Sequence, residues 1–142
     1  MRVLGVDVGE RRVGLAVSDP TGTVAVPLET LQRRPGKRFP LTRLEQIARD
    51  HEVEHVVVGL PLDLRGEENE WCGDVREVGR RLAERLGVEV SFVDERLTSV
   101  RAERAVRSMG LGKRQREDKG RVDAAAAQLI LQAWLDQPGV AR

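Results

Sequence analysis

Cysteine is nearly absent: Cys72 stands alone among 142 residues. It cannot close an internal disulfide, and it excludes a zinc centre built on four cysteines or on two cysteines with two histidines. Its surroundings are charged and helix-like, so a reduced thiol at the surface or half-buried is expected. Aromatic residues make up 3% of the chain, two Trp and two Phe with no Tyr, which argues against base stacking as the main recognition device. No run approaches the roughly 18 apolar residues of a membrane span, and no secretory apolar segment opens the chain. A cytoplasmic protein without membrane association is expected. Charge of one sign is lacking too: 24 Lys and Arg stand against 23 Asp and Glu, a net charge of +1. Only the distribution of charge can point to a nucleic-acid partner.

What is present suits a single domain over 1–142. Apolar residues are 40% and charged residues 33% of the chain, enough for a layered core under a heavily charged surface. Apolar runs predict strands over 3–8, 12–18 and 23–28, joined by the short turns "GER" and "DPTG", so these three form an antiparallel meander. After the basic loop "RRPGKRFP" the pattern changes to helix over 41–51, strand over 55–60, helix over 67–86 and strand over 88–94. Thr98 is a candidate N-cap for a helix to 109, followed by a charged loop over 110–120 and an alanine-rich helix over 122–135. The order β-β-β-α-β-α-β-α-α predicts an α/β fold: a five-stranded mixed sheet, three strands antiparallel and two parallel, flanked by helices.

Three acidic positions are awkward for a purely structural role. Asp7 lies in the middle of the first core strand, "VLGVDV", where an unpaired carboxylate is costly to bury. Asp94 and Glu95 end the fifth strand in "FVDER", at the edge where α/β sheets keep their sites. Strand alternation sends these two to opposite faces and does not say which points inward. Asp123 opens the last helix on the stripe shared with Ala126, Ala127 and Ile130, so it starts the sheet-facing side. The thin alanine stripe and the small Gly5 beside Asp7 allow helix and strand to approach closely, bringing Asp7 and Asp123 together. Taken singly, Asp123 also suits the dipole of a helix start, and the Asp94–Glu95 pair also suits an ion pair with Arg96 or Arg101.

Carboxylates converging on one place repel unless a cation lies among them. An oxygen-only set selects Mg²⁺ or Mn²⁺; the two histidines, His51 and His55, flank a distant helix–strand link. Such a centre is the equipment of phosphodiester hydrolysis. Basic residues gather where that chemistry needs them: Arg11 and Arg12 after Asp7, Arg96 after Glu95, and five basic residues against two acidic in 113–121. Lys113, Arg114, Arg116, Lys119 and Arg121 are therefore candidate phosphate contacts, with a solvated loop as the plain alternative.

The segments "GVDVGERRVGLAVSD", "VVVGLPLDLRG", "DERLTS" and "VDAAAAQLIL", in this order and spacing, resemble the YqgF/RuvX family over nearly the whole chain. The resemblance implies an RNase H-like fold and a divalent-metal-dependent nuclease, acting on branched DNA, on the 5′ end of pre-16S rRNA, or on both. It carries over Asp7 as the first-strand aspartate, Glu95 as the acid of the "DER" motif (with Asp94 as the other candidate) and Asp123 as the helix aspartate. RuvC-type resolvases carry a second acid one turn later on that helix, where this chain has Ala126 and Ala127.

Two other readings remain in view: a non-catalytic rRNA- or ribosome-associated factor, and a nucleotide-binding fragment of the actin-like ATPase type, which "DVGERRVG" resembles. Cutting a four-way junction needs two sites related by a two-fold axis. A weak homodimer is therefore expected, its candidate seam at Trp71 and Cys72. Trp71 equally fits the first place of the stripe Trp71, Val75, Val78, Leu82.

Overall fold

Five strands form one mixed sheet in the order β3-β2-β1-β4-β5. β1 (Val3–Val8) pairs antiparallel with β2 (Arg12–Ser18), which pairs antiparallel with β3 (Ala25–Gln32); β4 (His55–Leu60) and β5 (Glu89–Asp94) run parallel to β1. The computed structural model describes residues 1–33, 38–97 and 119–138, and the side chains of these except 97 and 119–123. The expected helix from Thr98 to 109 and the loop over 110–118 lie outside them.

The two central strands are buried on both faces, all six residues in each, as their uninterrupted apolar runs require. Alternation divides their side chains between two cores. Leu4, Val6, Val8, Val56, Val58 and Leu60 pack under α1 (Leu41–Asp50) and α2 (Glu70–Leu86). Val3 and Val57 face α3 (Lys119–Leu135), joined there by Ala126, Ala127, Ile130, Leu131 and Leu135. Helix α1 buries Leu41, Leu44, Ile47 and Ala48, the stripe its spacing predicts. Each fully buried Leu or Ile contributes about 1.5–3 kcal/mol through removal of apolar surface from water.

Element boundaries and one burial differ from the sequence reading. β3 starts at Ala25 and runs to Gln32, later than 23–28, because Asp19 Oδ1 accepts the backbone N–H groups of Thr23 (2.8 Å) and Val24 (3.0 Å) and holds both in the turn. The polar "ETLQ" that follows is an edge strand, open on one face. Helix α2 starts at Glu70 because Asn69 caps it, its side chain accepting from Cys72 N at 3.0 Å. β5 begins at Glu89, one residue after the expected start. Helix α3 starts at Lys119, so Lys119 and Arg121 stand on helix and not in a loop. Cys72 is fully buried, its thiol donating to the Pro61 carbonyl at 3.4 Å. The thiol therefore lies in the core and not at the surface.

Candidate active site

The parallel strands β1, β4 and β5 share a carboxyl end, and Asp7 stands there. Its neighbours Val6 and Val8 face α1 and α2, so alternation turns Asp7 to the α3 side with Val3 and Gly5. It is 2% exposed. Pairing with β2 at Asp7 itself and with β4 through Val6 holds this position.

Glu95 reaches the same place from β5. The register pairs Val6 with Val58, so Asp7 is level with Gly59 one strand away, about 5 Å in backbone terms. A Cβ on Gly59 would stand 2.9 Å from Glu95 Oε1 and 2.5 Å from Ile130 Cδ1. Glycine is required here because the Glu95 carboxylate occupies the space that a side chain on β4 would fill. Glu95 is 3% exposed. The alternation that left Asp94 and Glu95 undecided is resolved by a single 3-10 turn, Glu95–Leu97, directly after β5. Glu95 turns inward to the α3 side, and the carboxylate of Asp94 is engaged by Arg96 at 2.7 Å.

Helix α3 lies over this face in a definite direction. A Cβ on Gly5 would stand 2.7 Å from Leu131 Cβ and 3.0 Å from the Ala127 carbonyl oxygen, so small residues on both elements bring the backbones together. Further along α3, Trp134 stacks on His55 with ring centroids 4.6 Å apart, and His55 is level with Val3 at the start of β1. The helix therefore runs from the carboxyl end of the sheet to its amino end. The backbone of residue 123, one turn before Ala127, falls on the Asp7 side of Gly5. The Asp123 side chain lies outside the described residues. Among the described residues, no group of three or more His, Cys, Asp or Glu is placed to hold a metal ion; the acids buried at this end of the sheet are Asp7 and Glu95.

The basic candidates divide into three sets. Arg11 is exposed and Arg12 half-buried, on the β1–β2 turn at the same end of the sheet. Gly9 N–H donates to the Arg12 carbonyl (2.8 Å) and Arg33 N–H to the Arg11 carbonyl (2.7 Å), which close that turn. Arg96 is held by Asp94. Lys113, Arg114 and Arg116 lie outside the described residues, as do the side chains of Lys119 and Arg121. Sequence reasoning missed Arg33, whose Nη1 donates to the Gly9 carbonyl at 2.6 Å while its guanidinium covers the rings of Phe39 (5.0 Å) and Trp71 (5.6 Å). Trp71 thus closes the rim of the core, the stripe reading of its spacing. It also missed Gly59, for which the signal was a lone glycine in a β-branched strand.

The family model described as RuvX, Holliday junction resolvase, matches residues 1–137. A relative from Anaeromyxobacter dehalogenans (strain 2CP-C), named "Putative pre-16S rRNA nuclease", is 44% identical over 137 residues, covering 96% of this chain and 98% of its own length. One of the same name from Mycobacteroides abscessus is 42% identical, covering 96% of this chain and 81% of its own length. Among solved structures, T. thermophilus RuvC in complex with Holliday junction substrate superposes with a TM-score of 0.61 at 20% identity, covering 95% of this chain and 93% of that one. That likeness shows the fold, which is RNase H-like: a five-stranded mixed sheet flanked by helices. Both the family description and the relatives' names are those of nucleases. The chain belongs to the RuvX family.

Proposed function

We propose that this chain is a divalent-metal-dependent endonuclease that hydrolyses phosphodiester bonds of structured nucleic acid, with the 5′ end of pre-16S rRNA as first substrate class and a branched DNA junction as second. The observation that carries the reading is the placement of two buried carboxylates on the α3 face at the carboxyl end of the sheet, Asp7 level with Gly59 and Glu95 packed over it. Like charges so placed favour a cation between them, and an all-oxygen donor set fits Mg²⁺ or Mn²⁺. Asp123 is the third carboxylate of the proposal. Bound there, the metal supplies an activated water and charge to balance that developing on the phosphate.

The chain's own residues do the rest. Strand β1, paired on both sides, fixes Asp7; the 3-10 turn aims Glu95; Arg11 and Arg12 at the neighbouring turn offer positive charge to the phosphate backbone. The order of substrates follows the relatives, which share 44% and 42% identity and are named for pre-16S rRNA, over the RuvC likeness at 20%. The test is cleavage by the purified protein, with Mg²⁺, Mn²⁺ or chelator, of a pre-16S leader and a four-way junction side by side. Metal-dependent cutting of the leader is expected. No metal-dependent cutting of either substrate would refute the reading and leave a non-catalytic ribosome-associated role. Cutting of the junction alone would reverse the order of substrates and call for a dimer, since paired incisions need two sites.

A further inference from the structure

Arg96 has the residue type and place of a phosphate contact, but its side chain is already committed. Nε lies 3.1 and 3.0 Å from the two carboxylate oxygens of Asp94, and Nη2 lies 2.7 Å from Oδ2. Nη1 reaches the Leu64 carbonyl at 3.5 Å. The backbone N–H of Arg96 also donates to Asp94 Oδ1, at 2.9 Å. Asp94 thus accepts from both the main chain and the side chain of the residue two places on, and the residue spanned by that turn is Glu95.

The other end of this contact is an ordered loop, 61–66. Asp63 Oδ1 accepts the backbone N–H groups of Arg65 and Glu67, both at 2.9 Å. Gly66 adopts a φ of +82° and donates its N–H to the Asp63 carbonyl at 2.9 Å. A Cβ on Gly66 would stand 2.6 Å from Arg96 Nη2, so the guanidinium lies flat where only glycine leaves room. Loop 61–66 follows β4 directly, and β4 carries Gly59, over which Glu95 folds.

We infer that Asp94 and Arg96 are positioning residues: together they splint loop 61–66 to the end of β5, and so fix the direction from which Glu95 enters the site. The inference rests on the nuclease reading and assigns Arg96 to the protein instead of the nucleic acid. A carboxylate held this way keeps its orientation when a ligand arrives, the usual task of groups one step removed from a metal.

The test compares Arg96→Gln, Arg96→Lys, Asp94→Asn and Gly66→Ala in the full chain. Three quantities are read: Mn²⁺ affinity by calorimetry without nucleic acid, kcat and KM on the substrate that the wild-type chain cuts, and the salt dependence of nucleic-acid binding. All four variants are expected to lose about 10- to 100-fold in Mn²⁺ affinity and in kcat, with KM and the salt slope unchanged. Arg96→Lys fails with the others because an ammonium cannot hold the carboxylate in two bonds and the Leu64 carbonyl at once. Asp94→Asn combined with Arg96→Gln loses no more than the worse single change. Gly66→Ala adds no charge change, which separates positioning from electrostatics. Faster hydrogen exchange at Arg65 and Glu67 in Arg96→Gln reports the loosened loop directly.

An Arg96→Gln chain with unchanged kcat and Mn²⁺ affinity, a raised KM and a salt slope lower by about 0.9 would make Arg96 a phosphate contact and overturn the inference. A wild-type chain that neither binds Mn²⁺ nor cuts overturns the nuclease reading, and the positioning role with it.

Discussion

The two ends of the same strands bury different kinds of polar group. At the amino end, Ser18 Oγ accepts the Val3 N–H at 2.8 Å and donates to the Asp19 carbonyl at 3.1 Å. His55 Nε2 lies 2.8 Å from Ser91 Oγ, with its ring stacked on Trp134. Each buried group there has a neutral partner, the arrangement that stability alone selects. At the carboxyl end, Asp7 and Glu95 are buried at 2% and 3% exposure on the α3 face, Glu95 packed over Gly59. Two like charges gathered where water is excluded oppose folding. Two acids buried on one face mark the end of the sheet where chemistry is expected.

The largest break in this contrast comes from Asp7→Asn. It removes a charge at nearly constant shape, and cleavage should fall by at least about a thousandfold, roughly 4 kcal/mol in barrier. Relief of repulsion should leave the metal-free protein's thermal midpoint unchanged or raised. Cleavage assays and thermal melts on the same preparation check both halves. Next comes Gly59→Ala, which drives a Cβ into Ile130 and Glu95. It should destabilise by about 1–3 kcal/mol through overpacking and lose most of its activity at temperatures where it is still folded. A fully active Gly59→Ala chain would show that Glu95 need not occupy that space.

Neutralising Lys113, Arg114 and Arg116 together should weaken nucleic-acid binding and flatten its log–log salt dependence by about two to three units, with cleavage at saturating substrate little changed. An unaltered slope would return that run to a solvated loop. The smallest effect belongs to the amino end. Burial is the main cause that pushes the His55 pKa below 6.5, with Glu89 opposing it. The unfolded chain then binds more protons than the folded one just below pH 6.5. The stabilisation is fully present above pH 6.5 and is lost as pH falls from there through the folded value. Denaturant melts between pH 7.5 and 5 should show this decline, flattened in His55→Phe, with the metal-dependent rate at pH 7.5 unaffected.

The contrast between the ends was only partly visible in the sequence. Asp7 was legible because nothing in "VLGVDV" explains a carboxylate, and strands buried on both faces announce themselves as apolar runs. The second half of β3 was hidden because "ETLQ" belongs to an edge strand, where polar residues are tolerated and only pairing to Arg12–Gly14 reveals the strand. The choice between Asp94 and Glu95 was beyond a period-two argument, since the strand ends and the chain bends at that residue. Cys72 was misplaced because its charged neighbours describe the outer face of α2, while Cys72 shares the inner face with Val75, Val78 and Leu82. The role of Arg96 depends on Leu64 and Gly66, thirty residues or so away, and no local pattern carries that contact.

The central claim is that the carboxyl end of the sheet is a cation site. Calorimetric titration of Mn²⁺ into the metal-free wild-type chain, Asp7→Asn and Glu95→Gln, without nucleic acid, tests it most directly. The account predicts saturable binding by the wild-type chain, with affinity lower by about tenfold or more in each variant. Equal binding by all three chains, or none by the wild type, would contradict it.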